Sequence, residues 1–237
     1  LAEDTSVAAV FAPSELETVY PGTVLAATDD MGREYLDRIT FLGDSTTYGL
    51  IRYSMLRDGR STKQVWTPVS GTLTLSQASI TKIYYPDEDT ELTITEAVEK
   101  KPPDILIITL GVNGISFMKQ DYFVGEYDKL IASIQEKSPY TQIILQSILP
   151  VARSYPNQDQ INNEKISEAN GWIAELAQTR GVKYLDTYSA LVSEDGYMPE
   201  EYQNGDGLHL NEISFQTELD YIRTHALTQS AENITDE

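Results

Sequence analysis

Apolar positions along this chain fall into two rhythms that take turns. Short, mostly apolar runs alternate with longer stretches in which apolar residues return every three or four positions. Arg38-Ile39-Thr40-Phe41-Leu42 is the first β-type run; it ends at Gly43-Asp44-Ser45, and a helix-compatible segment follows over 46–56. Residues 57–85 are mixed, with a strand-like alternation at Thr72-Leu73-Thr74-Leu75. Residues 91–101 read as a helix stopped by Pro102-Pro103. The run 104–110 is almost continuously apolar, as a strand covered on both faces of a parallel sheet would be, and it ends at Gly111-Val112-Asn113-Gly114. A helix is predicted over 122–137, with Tyr127, Leu130, Ile131 and Ile134 at helical spacing. Beyond it come a buried strand over 141–148 closed by Pro150 and an amphipathic helix over 162–179 capped by Gly181. A last strand over 182–186 and a helix over 211–226 complete the pattern.

Strands alternating with helices predict an α/β domain, a three-layer α/β/α sandwich around a mostly parallel five-stranded sheet. The length of 237 residues suits one such domain better than two. Residues 1–36 lack a period, carry turn signals and are expected to form an N-terminal arm or linker; 37–230 form the domain and 231–237 a tail. In open parallel sheets ligands bind beyond the carboxyl ends of the strands, so those ends are where chemistry is sought.

Composition narrows the partners. The chain carries 37 acidic side chains against 17 basic ones, a net charge of −20, which repels phosphate backbones and anionic headgroups. Nucleic acid and membrane surfaces are therefore not expected partners, and a neutral small-molecule or carbohydrate ester is easier to accommodate. There is no cysteine, which excludes disulfides, thiolate catalysis and cysteine metal sites. Only two histidines exist, His209 and His225, so a multi-histidine zinc site cannot form, and no cofactor or metal is expected. No apolar run reaches the roughly 18 residues of a membrane span. A start at Leu1 suggests processing or a recombinant origin. Acidity without cysteine is compatible with a bacterial exterior or cell surface; a cytoplasmic location and the oligomeric state stay open.

Four strand-end or loop motifs carry candidate chemistry. Ser45, at the start of a helix, has an outward N–H and a favourable dipole for a developing oxyanion, although a serine there also reads as a plain N-cap. In Asp206-Gly207-Leu208-His209 the carboxylate can hold the imidazole in the tautomer of a general base; alternatively the segment is a surface turn. His225, in a predicted helix, reads as structural. The Asn113 amide could donate to an oxyanion, or Asn113 could serve only a left-handed turn. Gly71, in Val69-Ser70-Gly71-Thr72, could bring a backbone N–H close to the site, with Gly59 a competing candidate. Trp66, Tyr84 and Tyr85 could stack on a sugar or belong to the core.

In chain order these residues resemble the SGNH (GDSL-like) hydrolases. Ser45 stands in the first block as Gly-Asp-Ser, Gly71 in the second, Asn113 in the third, and His209 with Asp206 in the last. The resemblance covers about residues 38–225. It implies a flavodoxin-like fold and metal-free ester hydrolysis, with Ser45 as nucleophile, His209 as base, Asp206 as its orienter, and Ser45, Gly71 and Asn113 lining the oxyanion hole. It departs from the family at Gly114, where an Asp is usual and supports the nucleophile loop. The family includes carbohydrate acetylesterases, lipases, thioesterases and peptidoglycan-modifying enzymes; with no long apolar lid segment in the chain, the expected activity is hydrolysis of short acyl, chiefly O-acetyl, esters on a carbohydrate. Rival readings are an O-acetyltransferase with the same triad and a catalytically silent domain that binds glycan or protein. A nucleotide binder is disfavoured by the lack of a glycine-rich phosphate loop.

Overall fold

The computed structural model describes Phe11 and residues 14–228; the first ten residues of the expected arm and the expected tail 231–237 lie outside the described residues. Helices α1 (Glu15–Val19) and α2 (Gly32–Leu36) lead into strand β1 (Ile39–Gly43) and helix α3 (Ser45–Arg52). Next come β2 (Val65–Trp66), β3 (Lys82–Tyr85), β4 (Thr90–Thr93) and α4 (Ile94–Lys100). The rest alternates: β5 (Ile105–Thr109), α5 (Gln120–Lys137), β6 (Gln142–Gln146), α6 (Asn163–Arg180), β7 (Lys183–Leu185), α7 (Thr187–Leu191) and α8 (Glu212–Thr224).

Five strands form one parallel sheet in the order β2-β1-β5-β6-β7, while β3 and β4 make a separate antiparallel hairpin. Successive strand side chains point to opposite faces, and here both faces are covered. Leu106 and Ile108 join Leu42, Val98, Ile131 and Ile173 in the core beneath α4, α5 and α6. Ile105 and Ile107 join Phe41, Leu36, Leu50 and Phe215 beneath α2, α3 and α8. That double cover is why β5 is apolar at nearly every position; each side chain fully withdrawn from water contributes about 1.5–3 kcal/mol. The result is the expected α/β/α sandwich. The order reverses at β1, which has β2 on one side and β5 on the other, and this opens a crevice at their carboxyl ends.

Three expectations need correction. The helix after Ser45 ends at Arg52, because Ser54 takes a left-handed φ of 57° and Met55 N–H turns back to the Leu50 carbonyl at 3.0 Å. Residues 72–75 are not a strand. Leu73 and Leu75 drop into the core from a loop, and the next N–H groups, Gln77 and Ala78, bond locally to the Thr74 and Leu75 carbonyls. Residues 90–93 belong to β4, and the helix begins only at Ile94, where Thr93 and Glu96 form a reciprocal capping box.

The segment before β1 is built into the domain. Val24 pairs with Tyr184, with Leu25 N–H on the Tyr184 carbonyl at 2.9 Å and Tyr184 N–H on the Thr23 carbonyl at 3.0 Å, so the β7 edge is covered. The two ends of the described chain meet: Leu227 N–H donates to the Tyr35 hydroxyl at 2.9 Å, and Phe11 sits edge-on to Tyr221 with ring centroids 5.0 Å apart. Among the described residues no helix is long and apolar enough to cross a membrane.

Candidate active site

Strand β1 passes directly into α3. A side chain at Gly43 would lie 1.9 Å from Thr47 Oγ1 and 3.0 Å from the Thr109 carbonyl, so nothing larger than hydrogen fits at this junction. Asp44, completely buried, caps the helix: its Oδ1 accepts Thr46 N–H at 2.9 Å and the Thr46 hydroxyl at 2.8 Å. Ser45 follows, half-buried, and its own N–H meets no acceptor among the described residues.

The second half of the site comes from the loop before α8. Asp206 Oδ1 accepts the N–H groups of Leu208 at 2.8 Å and His209 at 2.9 Å, folding the loop over its own carboxylate. Gly207 has a φ of 79°, and a Cβ there would come within 2.6 Å of the Tyr155 backbone, so this turn needs glycine. Asp206 Oδ2 lies 2.7 Å from His209 Nδ1, and His209 Nε2 lies 2.9 Å from Ser45 Oγ. Partial burial pushes the Asp206 carboxyl up, but the two backbone N–H groups and the imidazole outweigh it and hold the carboxyl below its usual range. A carboxylate on Nδ1 fixes the proton there and leaves the Nε2 lone pair facing the serine hydroxyl.

The oxyanion candidates are placed less uniformly. Asn113 Nδ2 donates to Asp44 Oδ2 at 2.7 Å, while its second proton has only the Leu73 carbonyl at 3.4 Å. One amide proton is thus committed and the other loosely held. Gly71 sits against the nucleophile: its absent Cβ would be 3.8 Å from Ser45 Cβ, and its φ is 77°. Its N–H, however, closes a turn onto the Pro68 carbonyl at 2.9 Å. Gly59 lies beside Ser54 instead. At Gly114 a Cβ would meet Met118 Sδ at 2.7 Å, so any side chain here requires the Met118 side chain to shift. Sequence reasoning missed Asp44 as the anchor of Asn113, although an Asp directly before a helix is a strong capping signal.

His225 stays out of the site, stacked on Tyr221 with ring centroids 3.8 Å apart and its Nδ1 3.0 Å from the Tyr221 carbonyl. Trp66 and Tyr85 are core residues, 2% and 3% exposed, whereas Tyr84 is open to solvent. Two spaces adjoin the site. A cavity of about 10 Å³, the room of one water-sized group, lies between Asp44, Thr46, Leu110, Val112, Leu149 and Leu208. A groove of about 530 Å³ runs past Gly71 between Tyr48, Arg60, Thr67, Val69 and Tyr84. Among the described residues no three His, Asp or Glu side chains are grouped to hold a metal ion.

Comparison with known proteins gives the family and the fold. Residues 41–214 match the GDSL-like lipase/acylhydrolase family. A Streptococcus pneumonia protein, described provisionally as a platelet activating factor, superposes with a TM-score of 0.59 at 22% identity, over 88% of this chain and 94% of its own. The periplasmic domain of the Salmonella ser. Paratyphi A lipopolysaccharide acetyltransferase gives 0.54 at 17% identity, covering 78% and 82%. A carbohydrate esterase family 3 protein from Talaromyces cellulolyticus gives 0.50 at 17%, covering 78% and 93%. At such identities the likeness is one of fold, and no curated protein sequence matches. The family match, by contrast, runs from inside β1 into α8 and takes in both Ser45 and His209. The chain belongs to the GDSL-like lipase/acylhydrolase family and is an ester hydrolase of that type.

Proposed function

We propose that this acylhydrolase is a serine esterase that removes short acyl groups, O-acetyl above all, from a carbohydrate. The observation that carries the reading is the line Ser45 Oγ to His209 Nε2, 2.9 Å, and His209 Nδ1 to Asp206 Oδ2, 2.7 Å. In the first step Ser45 Oγ attacks the ester carbonyl as His209 Nε2 takes its proton. The tetrahedral oxyanion is met by the free Ser45 N–H and by the loosely held second proton of Asn113. Gly71 N–H can join only by sharing or leaving its bond to Pro68. The intermediate collapses, His209 gives its proton to the departing sugar oxygen, and an acetyl-Ser45 ester remains. Water, deprotonated by His209, then releases acetate and restores the serine.

The preference for acetyl is supported by the small cavity bounded by Leu110, Val112, Leu149 and Leu208, which lies beside the chain neighbours of Ser45 and His209 and has room for one methyl-sized group. The groove beside Gly71, with two exposed tyrosines and several hydroxyls, supports a sugar as the alcohol. It also supports a second reading, acyl transfer to a sugar hydroxyl in place of water.

Hydrolysis of p-nitrophenyl acetate by wild type and Ser45→Ala tests the nucleophile. A fall in kcat of about 10⁴-fold or more is expected, with an unchanged melting temperature. Equal rates would remove Ser45 from the mechanism, and failure of an organophosphonate to label Ser45 would point to a silent binding domain. Rates on acetyl, butyryl and octanoyl esters are expected to fall in that order, and product analysis with a sugar acceptor present separates hydrolysis from transfer.

A further inference from the structure

We infer that the groove beside Ser45 selects acetylated sugars bearing a carboxylate, with Arg60 as the specificity-determining residue. The inference rests on the esterase reading above and adds the charge of the substrate. Gly71 is the wall shared by the groove and the nucleophile, 3.8 Å from Ser45 Cβ at its would-be Cβ, and Tyr48 lies one helical turn beyond Ser45 on α3. An alcohol leaving Ser45 on this side enters the groove.

Its lining is amphipathic. Tyr48 and Tyr84 remain 48% and 36% exposed, large aromatic surfaces left open to solvent beside the hydroxyls of Thr67 and Ser70. Sugar rings present C–H faces to aromatic rings and hydroxyls to polar groups, so this lining suits them.

The charge argument is specific to Arg60. In a chain with a net charge of −20, every described arginine except Arg52 and Arg60 holds a carboxylate within 4.0 Å. The Arg52 guanidinium lies 5.5 Å from the centre of the Tyr53 ring. Among the described residues Arg60 donates only to the Arg52 carbonyl, at 3.5 Å, which leaves most of its planar fork for a ligand. A guanidinium matches a carboxylate in a paired geometry that neither an alcohol nor a lysine reproduces. The chain's negative charge does not cancel this, because screening confines exposed charges to about 8 Å at physiological salt. One acid does border the groove: Asp89 accepts the Tyr84 hydroxyl at 2.8 Å. Its charge disfavours a substrate anion beside Tyr84 and leaves Arg60 as the counter-charge for it.

The test compares kcat/KM for the O-acetyl esters of methyl glucuronoside and methyl glucoside in wild type and Arg60→Gln. Wild type is expected to favour the uronate at least tenfold, and the uronate-to-glucoside ratio to fall at least tenfold in the variant. The same ratio in both proteins overturns the inference. If wild type turns over neither these esters nor p-nitrophenyl acetate, the esterase reading has failed instead. The groove is then judged by NMR titration of Ser45→Ala with unacetylated methyl glucuronoside and methyl glucoside. Preferential binding of the uronate that is lost on adding Arg60→Gln sustains the inference, and indifference to charge overturns it.

Discussion

Two buried carboxyl groups in this protein are given very different numbers of hydrogen-bond donors. Asp44, under the nucleophile, receives three hydrogen bonds: Thr46 N–H, the Thr46 hydroxyl and the Asn113 amide. Glu218, in α8 and 4% exposed, receives one, from the Gln146 amide at 2.6 Å, and neither Glu218 Oε2 nor Gln146 Oε1 has a partner among the described residues. Burial raises both carboxyls. At Asp44 the three donors and His209 oppose the rise; at Glu218 one donor does, and its pKa is pushed up to about 7. Where a carboxylate positions other groups, donors surround it. Both carboxyls stay above the ordinary range, and Glu218, which fills the core with a single donor, keeps its proton up to about pH 7.

The largest effect on stability is expected at Asp44. Asp44→Ala strands Thr46 N–H, and with it the helix cap, and the Asn113 amide, at about 1–3 kcal/mol each. Urea unfolding should show a loss of about 4 kcal/mol by the same accounting; a loss under about 1 kcal/mol would mean that the three bonds are idle. Next comes Asn113→Ala, which deletes a donor aimed at the oxyanion and one of Asp44's partners together. A fall in kcat of about a hundredfold or more with little change in KM is expected on an acetyl ester.

Glu218→Gln probes the other side of the comparison through pH. The folded chain keeps the Glu218 proton up to about pH 7, while the unfolded chain releases it near 4.5. Between those values the folded state binds more protons, so wild-type stability falls as pH rises, and the loss is complete above pH 7. The variant lacks this term, so relative to wild type it should gain about 3 kcal/mol between pH 4 and pH 8. Parallel stability curves would show that Glu218 ionises in the fold as readily as in water. The smallest change is Thr46→Val, which removes the hydroxyl bond to Asp44 and keeps the N–H cap; thermal unfolding should register a loss of about 1 kcal/mol.

The parts of the fold that can be read from sequence are those whose residues face a uniform environment. β5, covered on both sides, announces itself as four consecutive apolar residues, Ile105 to Ile108, and α5 by the spacing of Tyr127, Leu130, Ile131 and Ile134. Where the environment changes within a few residues, the reading failed. Leu73 and Leu75 alternate like strand residues because a loop drops each of them into the core. β2 is two residues long and has no period to show. The start of α4 was legible in principle, since Thr93-Ile94-Thr95-Glu96 is a capping signature, but it was hidden in a longer helix-like stretch. At the site, Ser45, Asp206 and His209 stand out through local motifs that the fold brings within hydrogen-bonding distance. The engagement of Gly71 N–H by Pro68, and the withdrawal of Trp66 and Tyr85 from any ligand, depend on tertiary neighbours that no local pattern encodes.

Phe11 rests on Tyr221 and Leu227 bonds to Tyr35, so both described ends emerge near the final turn of α8. That helix starts at Glu212, just after His209, and its 13 residues span about 20 Å. A label attached at Thr228 therefore sits at the pole remote from the reaction cleft, and the labelled protein is expected to keep its turnover of dissolved esters.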